Sequence, residues 1–192
     1  MKSSARVVII GGGSLGVSLF YHLAEEGWND VILIEKGELT SGSTWHAAGL
    51  CSNLIGNMTV AKIHNYSIRL YDEILPSQSG NPSVFHKCGS LRVGYSRIEE
   101  EWFRHLLSRS KNVPCEFNII SRDEARDLHP FMNFENARII VNTPNDGHVD
   151  PSSVVMTMSQ IATSKGAKIS RFNRVEDIKK TQGGEWEVIT EK

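Results

Sequence analysis

Cysteine is scarce: Cys51, Cys88 and Cys115 are the three in 192 residues, too few and too far apart for a disulfide framework or a CxxC metal or redox site. Reduced, buried thiols are expected. No apolar run approaches the roughly 20 residues that a bilayer crossing requires. The stretch before Val7 is too short for a charged n-region, an apolar h-region and a cleavage site, so no secretory leader is expected. An excess of charge is also missing. The 21 Lys and Arg residues and 22 Asp and Glu residues leave a formal net charge of -1, which excludes the electrostatic footprint of a nucleic-acid or anionic-membrane binder. His22, His64, His86, His105 and His129 show no HExxH or paired ligand spacing, so no metal site is expected. Repeats and low-complexity tracts are absent. What remains is a water-soluble chain long enough for one ordinary domain with an appendage. It is expected in the cytoplasm, or in the mitochondrial matrix if a presequence was removed.

The residues that are present fall into a recognisable order. Val7-Val8-Ile9-Ile10 is a short β-branched run that ends in glycines and passes into Leu15, Leu19 and Leu23 at helical spacing. Gly27 stands at the expected helix end, and Val31-Ile32-Leu33-Ile34 reads as a second buried strand of the parallel type. This is a βαβ unit. A helix is expected over about 59–75, with Val60, Ile63, Leu70 and Ile74 on one face and Pro76 as its stop. Short strands around Gly89, a helix over about 99–108, and a capping box of Ser121 and Glu124 follow. Ile139-Ile140-Val141 is a strand closed by the turn Pro144-Asn145-Asp146-Gly147, and Asp150 with Pro151 opens a further helix. Strands at 168–170, 175–178 and 186–189 finish the chain. The expected architecture is α/β: a Rossmann-like dinucleotide-binding domain over 1–84 and 142–192, interrupted at 85–141 by a mixed α+β insertion and incomplete at its C-terminus.

Gly11-Gly12-Gly13-Ser14-Leu15-Gly16 matches G-x-G-x-x-G directly after the first strand and at the start of the first helix. Gly11 permits the tight turn, Gly13 lets backbone approach a pyrophosphate, and Gly16 allows helix and strand to pack closely, while the helix N-terminus offers unpaired N–H groups. Glu35, at the end of the second strand and followed by Lys36, can accept hydrogen bonds from the ribose hydroxyls of an adenosine. Its charge repels a 2′-phosphate, which disfavours NADP and leaves FAD or NAD.

The next segment separates those two. Gly42-Ser43-Thr44-Trp45-His46-Ala47-Ala48-Gly49-Leu50 resembles the flavin attachment segment of the dimethylglycine and sarcosine dehydrogenase family of glycine- and amino-acid-oxidase-like flavoproteins. Pro144-Asn145-Asp146-Gly147-His148-Val149-Asp150-Pro151 resembles that family as well, and the likeness extends over essentially the whole chain. It implies FAD bound covalently through a ring nitrogen of His46. Ser43 and Thr44 would lie on the pyrophosphate or ribityl chain, small residues Ala47 to Gly49 against the isoalloxazine, and Val175 against the adenine. The activity implied is oxidation of the CH-NH group of an N-methyl amine, sarcosine or dimethylglycine, to an iminium that hydrolyses to formaldehyde. Electrons would pass to an electron-transfer flavoprotein or to oxygen. The catalytic residues are not identified, and the substrate site is expected beyond Lys192, which makes this chain an inactive N-terminal part by itself. A non-catalytic regulatory paralogue on the same scaffold and an NAD-dependent dehydrogenase are the alternatives.

Overall fold

The β-branched run after Arg6 forms a strand, and the glycines behind it turn the chain into a helix; the computed structural model describes residues 4–110 and 114–192. Along the chain run β1 (Val7–Ile10), α1 (Ser14–Glu25), β2 (Val31–Ile34), a 3-10 turn (Thr44–His46), β3 (Leu50–Cys51) and α2 (Met58–Arg69). A π-helical turn (Leu70–Ile74) leads into the short α3 (Leu75–Ser79), β4 (Phe85–His86), β5 (Ser90–Gly94), α4 (Arg97–Ser110), β6 (Asn118–Ile119) and α5 (Arg122–Leu128). Then come β7 (Ile139–Thr143), β8 (Gly147–Val149), α6 (Pro151–Ser164), β9 (Lys168–Ser170), β10 (Val175–Lys180) and β11 (Trp186–Thr190).

These elements form two units. The first takes the chain up to Ala48, Leu75–Pro82 and Asp150–Lys192; the second takes Gly49–Ile74 and Ser83–Val149. In the first unit β1, β2 and β9 make a parallel sheet in the order β1-β2-β9. Every residue of β2 is buried, as expected of a parallel strand covered on both faces. α1 packs on α6. It buries Val17, Phe20, Tyr21 and Ala24, a stripe with helical i, i+3, i+4, i+7 spacing, while Leu15 and Leu19 are exposed. α6 starts on Asp150, whose side chain accepts from the Ser153 amide, with Pro151 next. The antiparallel hairpin β10–β11 completes the unit.

The second unit contains two antiparallel sheets, β3-β8-β4 and β5-β7-β6. β7 is the core strand. Ile139 and Val141 face a cluster with Leu54, Phe103 and Leu106, and Ile140, on the other face, joins Ala125, Phe134 and Ala137. Alternate residues thus feed separate apolar layers. α5 opens with the expected capping box of Ser121 and Glu124.

The second unit claims more chain than the 85–141 expected of an insertion. Leu50 and Cys51 pair with His148 and Gly147 across β3 and β8, which ties both flanks of the expected insertion into this unit's sheet. The helix expected over 59–75 also differs: α2 buries Ala61 and Ile68, whereas Val60 and Ile63 are exposed. Pro76 does not stop the helix. It is the second residue of α3, which follows the π-helical turn Leu70–Ile74 without a break.

Candidate cofactor site

The site in the first unit grows from the turn between β1 and α1. Gly11 has φ +107, which a residue with Cβ rarely adopts. At Gly16 a Cβ would stand 2.0 Å from the carbonyl oxygen of Gly11, so the helix sits against the turn only because that atom is missing. Gly12, a variable position of the motif, is constrained too: a Cβ there would meet Leu39 Cδ2 at 2.5 Å. Gly13 is the N-cap residue and supplies no side-chain cap. Thr44 supplies one instead, its Oγ1 accepting from the Ser14 amide at 3.0 Å. A helix start leaves four N–H groups without intrahelical partners, and together with the helix dipole they favour an anion.

Glu35 closes the other side of the turn. Its Oε2 accepts from the Gly12 amide at 2.7 Å and its Oε1 from the Gly37 amide at 2.8 Å. An ionised carboxylate has about four lone-pair sites, so acceptor capacity remains for ribose hydroxyls. A cleft of about 240 Å³ beside it is lined by Ile10, Gly11, Ile34, Glu35, Lys36, Asn173, Arg174 and Val175. Asn173 is fully buried. Its amide donates to the Glu35 carbonyl at 3.0 Å, and its side chain donates to Ser170 Oγ at 3.2 Å and accepts from the Lys192 amide at 3.2 Å. A larger groove, about 1020 Å³ between β1, β2 and the β10–β11 hairpin, contains none of the expected site residues.

Thr44, Trp45 and His46 form the 3-10 turn, with Ser43 before it and Ala47 after it. His46 is exposed. Its Nδ1 lies 3.1 Å from the Gly42 carbonyl oxygen, and its ring lies 3.8 Å from that of Trp45, tilted by 34°. A carbonyl can only accept, so the neutral ring carries its proton on Nδ1 and leaves the Nε2 lone pair open. The first unit therefore holds Gly11, Gly13, Ser14, Leu15, Gly16, Glu35, Lys36, Gly42 to Ala48, and Val175, whereas Gly49 and Leu50 belong to the second. Gly12, Asn173 and Arg174 are additions. The bulk-free triple glycine was the available signal for Gly12; the other two carry none before β9 pairs with β2.

The second motif organises its own unit. Asp146 is buried and accepts from Ser52 Oγ at 3.0 Å, the Asn53 amide at 2.8 Å, Asn53 Nδ2 at 3.0 Å and Ser90 Oγ at 2.6 Å. Arg92 reaches the same cluster through Ser52 Oγ at 2.7 Å. A buried carboxylate is tolerated because its lone pairs are filled. Burial first, and then the charge of Asp146, push the thiol of Cys115 up to about 11 and raise that of Cys51.

A parallel βαβ unit whose glycine turn opens a helix, and whose second strand ends on a carboxylate, defines a dinucleotide-binding protein of Rossmann type. The chain belongs to the DAO family of FAD dependent oxidoreductases, whose pattern matches residues 6–192. It is 39% identical over 189 residues to mitochondrial dimethylglycine dehydrogenase of Mus musculus, covering 98% of this chain and 22% of that protein. With mitochondrial sarcosine dehydrogenase of Homo sapiens it shares 32% identity over 169 residues, 88% of this chain and 18% of the relative. The chain thus spans about a fifth of the length of these curated relatives. The solved L-proline dehydrogenase from P. horikoshii has the same fold, with a TM-score of 0.90 at 23% identity over 100% of this chain and 50% of that one.

Proposed function

We propose that this chain is the FAD-binding N-terminal part of an oxidoreductase that acts on the CH-NH group of an N-methyl amine, dimethylglycine or sarcosine, with the flavin bonded covalently to His46. The observation that carries the reading is the open Nε2 of His46, on a turn whose Thr44 caps the helix of the glycine motif. The glycine turn and the α1 N-terminus would hold the pyrophosphate, Glu35 the ribose, and the cleft at Asn173, Arg174 and Val175 the adenine. Lys36, exposed at the cleft rim, would face phosphate or solvent. Bound there, the flavin supplies the two-electron acceptor for the carbon next to the amine nitrogen. This chain's residues orient it: the Gly42 carbonyl fixes the His46 tautomer, and Ala47, Ala48, Gly49 and Leu50 continue the backbone with little bulk before Leu50. Electrons would leave to an electron-transfer flavoprotein or oxygen, in the cytoplasm or the mitochondrial matrix.

Acid precipitation of the full-length protein tests the bond. Flavin fluorescence that stays with the pellet, and moves to the supernatant in His46→Ala, is expected. Yellow colour released wholly from the unmodified protein would overturn the covalent reading. A colourless protein would leave the regulatory reading in its place.

A further inference from the structure

His86 and His148 are distant in sequence but are direct partners across the antiparallel pair β4–β8. Partnered residues of adjacent strands project from the same face of a sheet. Both side chains are exposed, and their ring centroids lie 5.0 Å apart with the planes tilted by 30°. The neighbouring partners Phe85 and Val149 are buried, so the strand pair is anchored from its other face. Gly147 brings the strands together: a Cβ there would lie 2.2 Å from the His86 carbonyl oxygen. Among the described residues neither imidazole takes a hydrogen bond or ion pair.

We propose that His86 and His148 chelate a late first-row divalent cation, Zn²⁺, Cu²⁺ or Ni²⁺. Imidazole nitrogens bind zinc at about 2.0–2.1 Å, and two rings meeting one tetrahedral ion put their centroids about 5 Å apart. The observed centroid separation of 5.0 Å equals that spacing. Imidazole suits this group of metals, whereas Mg²⁺ and Ca²⁺ prefer oxygen. Among the described residues no cluster of three or more potential ligands occurs, so water would complete the coordination and leave the site open to exchangeable ligands. Two exposed rings are compatible with a simple ring contact as well, and metal uptake separates the two. His148 also pairs with Leu50 across β3 and β8, so the pair lies in the same sheet as the last residue of the segment proposed for the flavin.

The test uses the chain without a polyhistidine tag, stripped of metal and titrated with ZnCl₂ by calorimetry and with Cu²⁺ by electron paramagnetic resonance. One equivalent and a two-nitrogen Cu²⁺ spectrum are expected. His86→Gln and His148→Gln should each weaken binding on the order of a hundredfold, because the second imidazole acts at high effective concentration, while His105→Gln should leave it unchanged. Histidine-ring ¹⁵N NMR of the unsubstituted chain with added Zn²⁺ gives the same answer without a substitution: the shifts must fall on His86 and His148. Absence of uptake, or one-equivalent binding that persists in His148→Gln, would overturn the site.

Discussion

Thr44 Oγ1 caps the first turn of α1 by accepting from the amide of Ser14, thirty residues earlier in the chain. Local caps come from the residue just before the helix, but that place is held by Gly13, which has no side chain to offer and where a Cβ would meet Thr44 Oγ1 at 3.1 Å. The capping hydroxyl is therefore borrowed from the segment that carries His46. Thr44→Val should lower stability by about 0.5–2 kcal/mol, the usual cost of a lost N-cap, and Thr44→Ser should restore most of it. Urea unfolding of both variants checks this, and equal midpoints would assign the hydroxyl no capping role.

Gly16→Ala places a methyl 2.0 Å from the Gly11 carbonyl oxygen, a backbone atom that cannot swing away. Overpacking of this kind costs about 1–3 kcal/mol. A lower melting temperature together with loss of FAD uptake is expected, and a variant that melts and binds as the parent does would show that α1 has freedom to retreat from the turn.

Glu35→Ala removes the acceptor of two backbone amides as well as the partner expected for a ribose. Weaker binding of FAD and of AMP is predicted, by about 1–3 kcal/mol for a lost charged hydrogen bond. AMP isolates the adenosine half. Unchanged AMP affinity would limit Glu35 to holding the loop.

Asp146→Ala leaves the Asn53 amide and the Ser52 and Ser90 hydroxyls without their acceptor inside the second unit. Removing one member of a buried charged network costs about 3 kcal/mol or more. Denaturant titration should show the loss. A cost well below 1 kcal/mol would mean that water replaces the carboxylate.

The Cys115 thiol titrates near 11 in the folded chain against an ordinary 9.0, through burial first and the Asp146 charge second. The folded state therefore holds the proton more tightly than the unfolded state. Its contribution to stability is complete below pH 9 and is lost as pH rises towards 11. Cys115→Ala should show a smaller alkaline loss in unfolding experiments. Thiolates are the reactive species, so iodoacetamide at neutral pH should modify exposed Cys88 well before Cys51 and Cys115. Faster labelling at Cys115 would contradict its environment.

Much of the first unit was legible because local signals agree: β-branched strands, a glycine turn and a carboxylate at the strand end all describe one βαβ unit. The capping box at Ser121 and the Asp150-Pro151 helix start were legible for the same reason, since their chemistry is complete within four residues. The buried stripe of α1 was not. Apolar residues occupy both Leu15-Leu19-Leu23 and Val17-Phe20-Tyr21-Ala24, and which set faces inward depends on how Gly16 docks on Gly11. The border between the units was hidden for a similar reason: two-residue strands such as β3 exist only through their partner. No sequence spacing joins His86 to His148, which become neighbours only when β4 pairs with β8.

The first unit is three separate stretches of chain and the second is two. The order of synthesis follows from that. β9 leaves the ribosome after the whole second unit, so β2 waits for its parallel neighbour until that unit has been made, and such non-local pairing closes slowly. While it waits, the all-apolar strand Val31–Ile34 has an unpaired edge. A nascent chain stalled before Lys168 should therefore recruit chaperones more strongly than one stalled after Ser170.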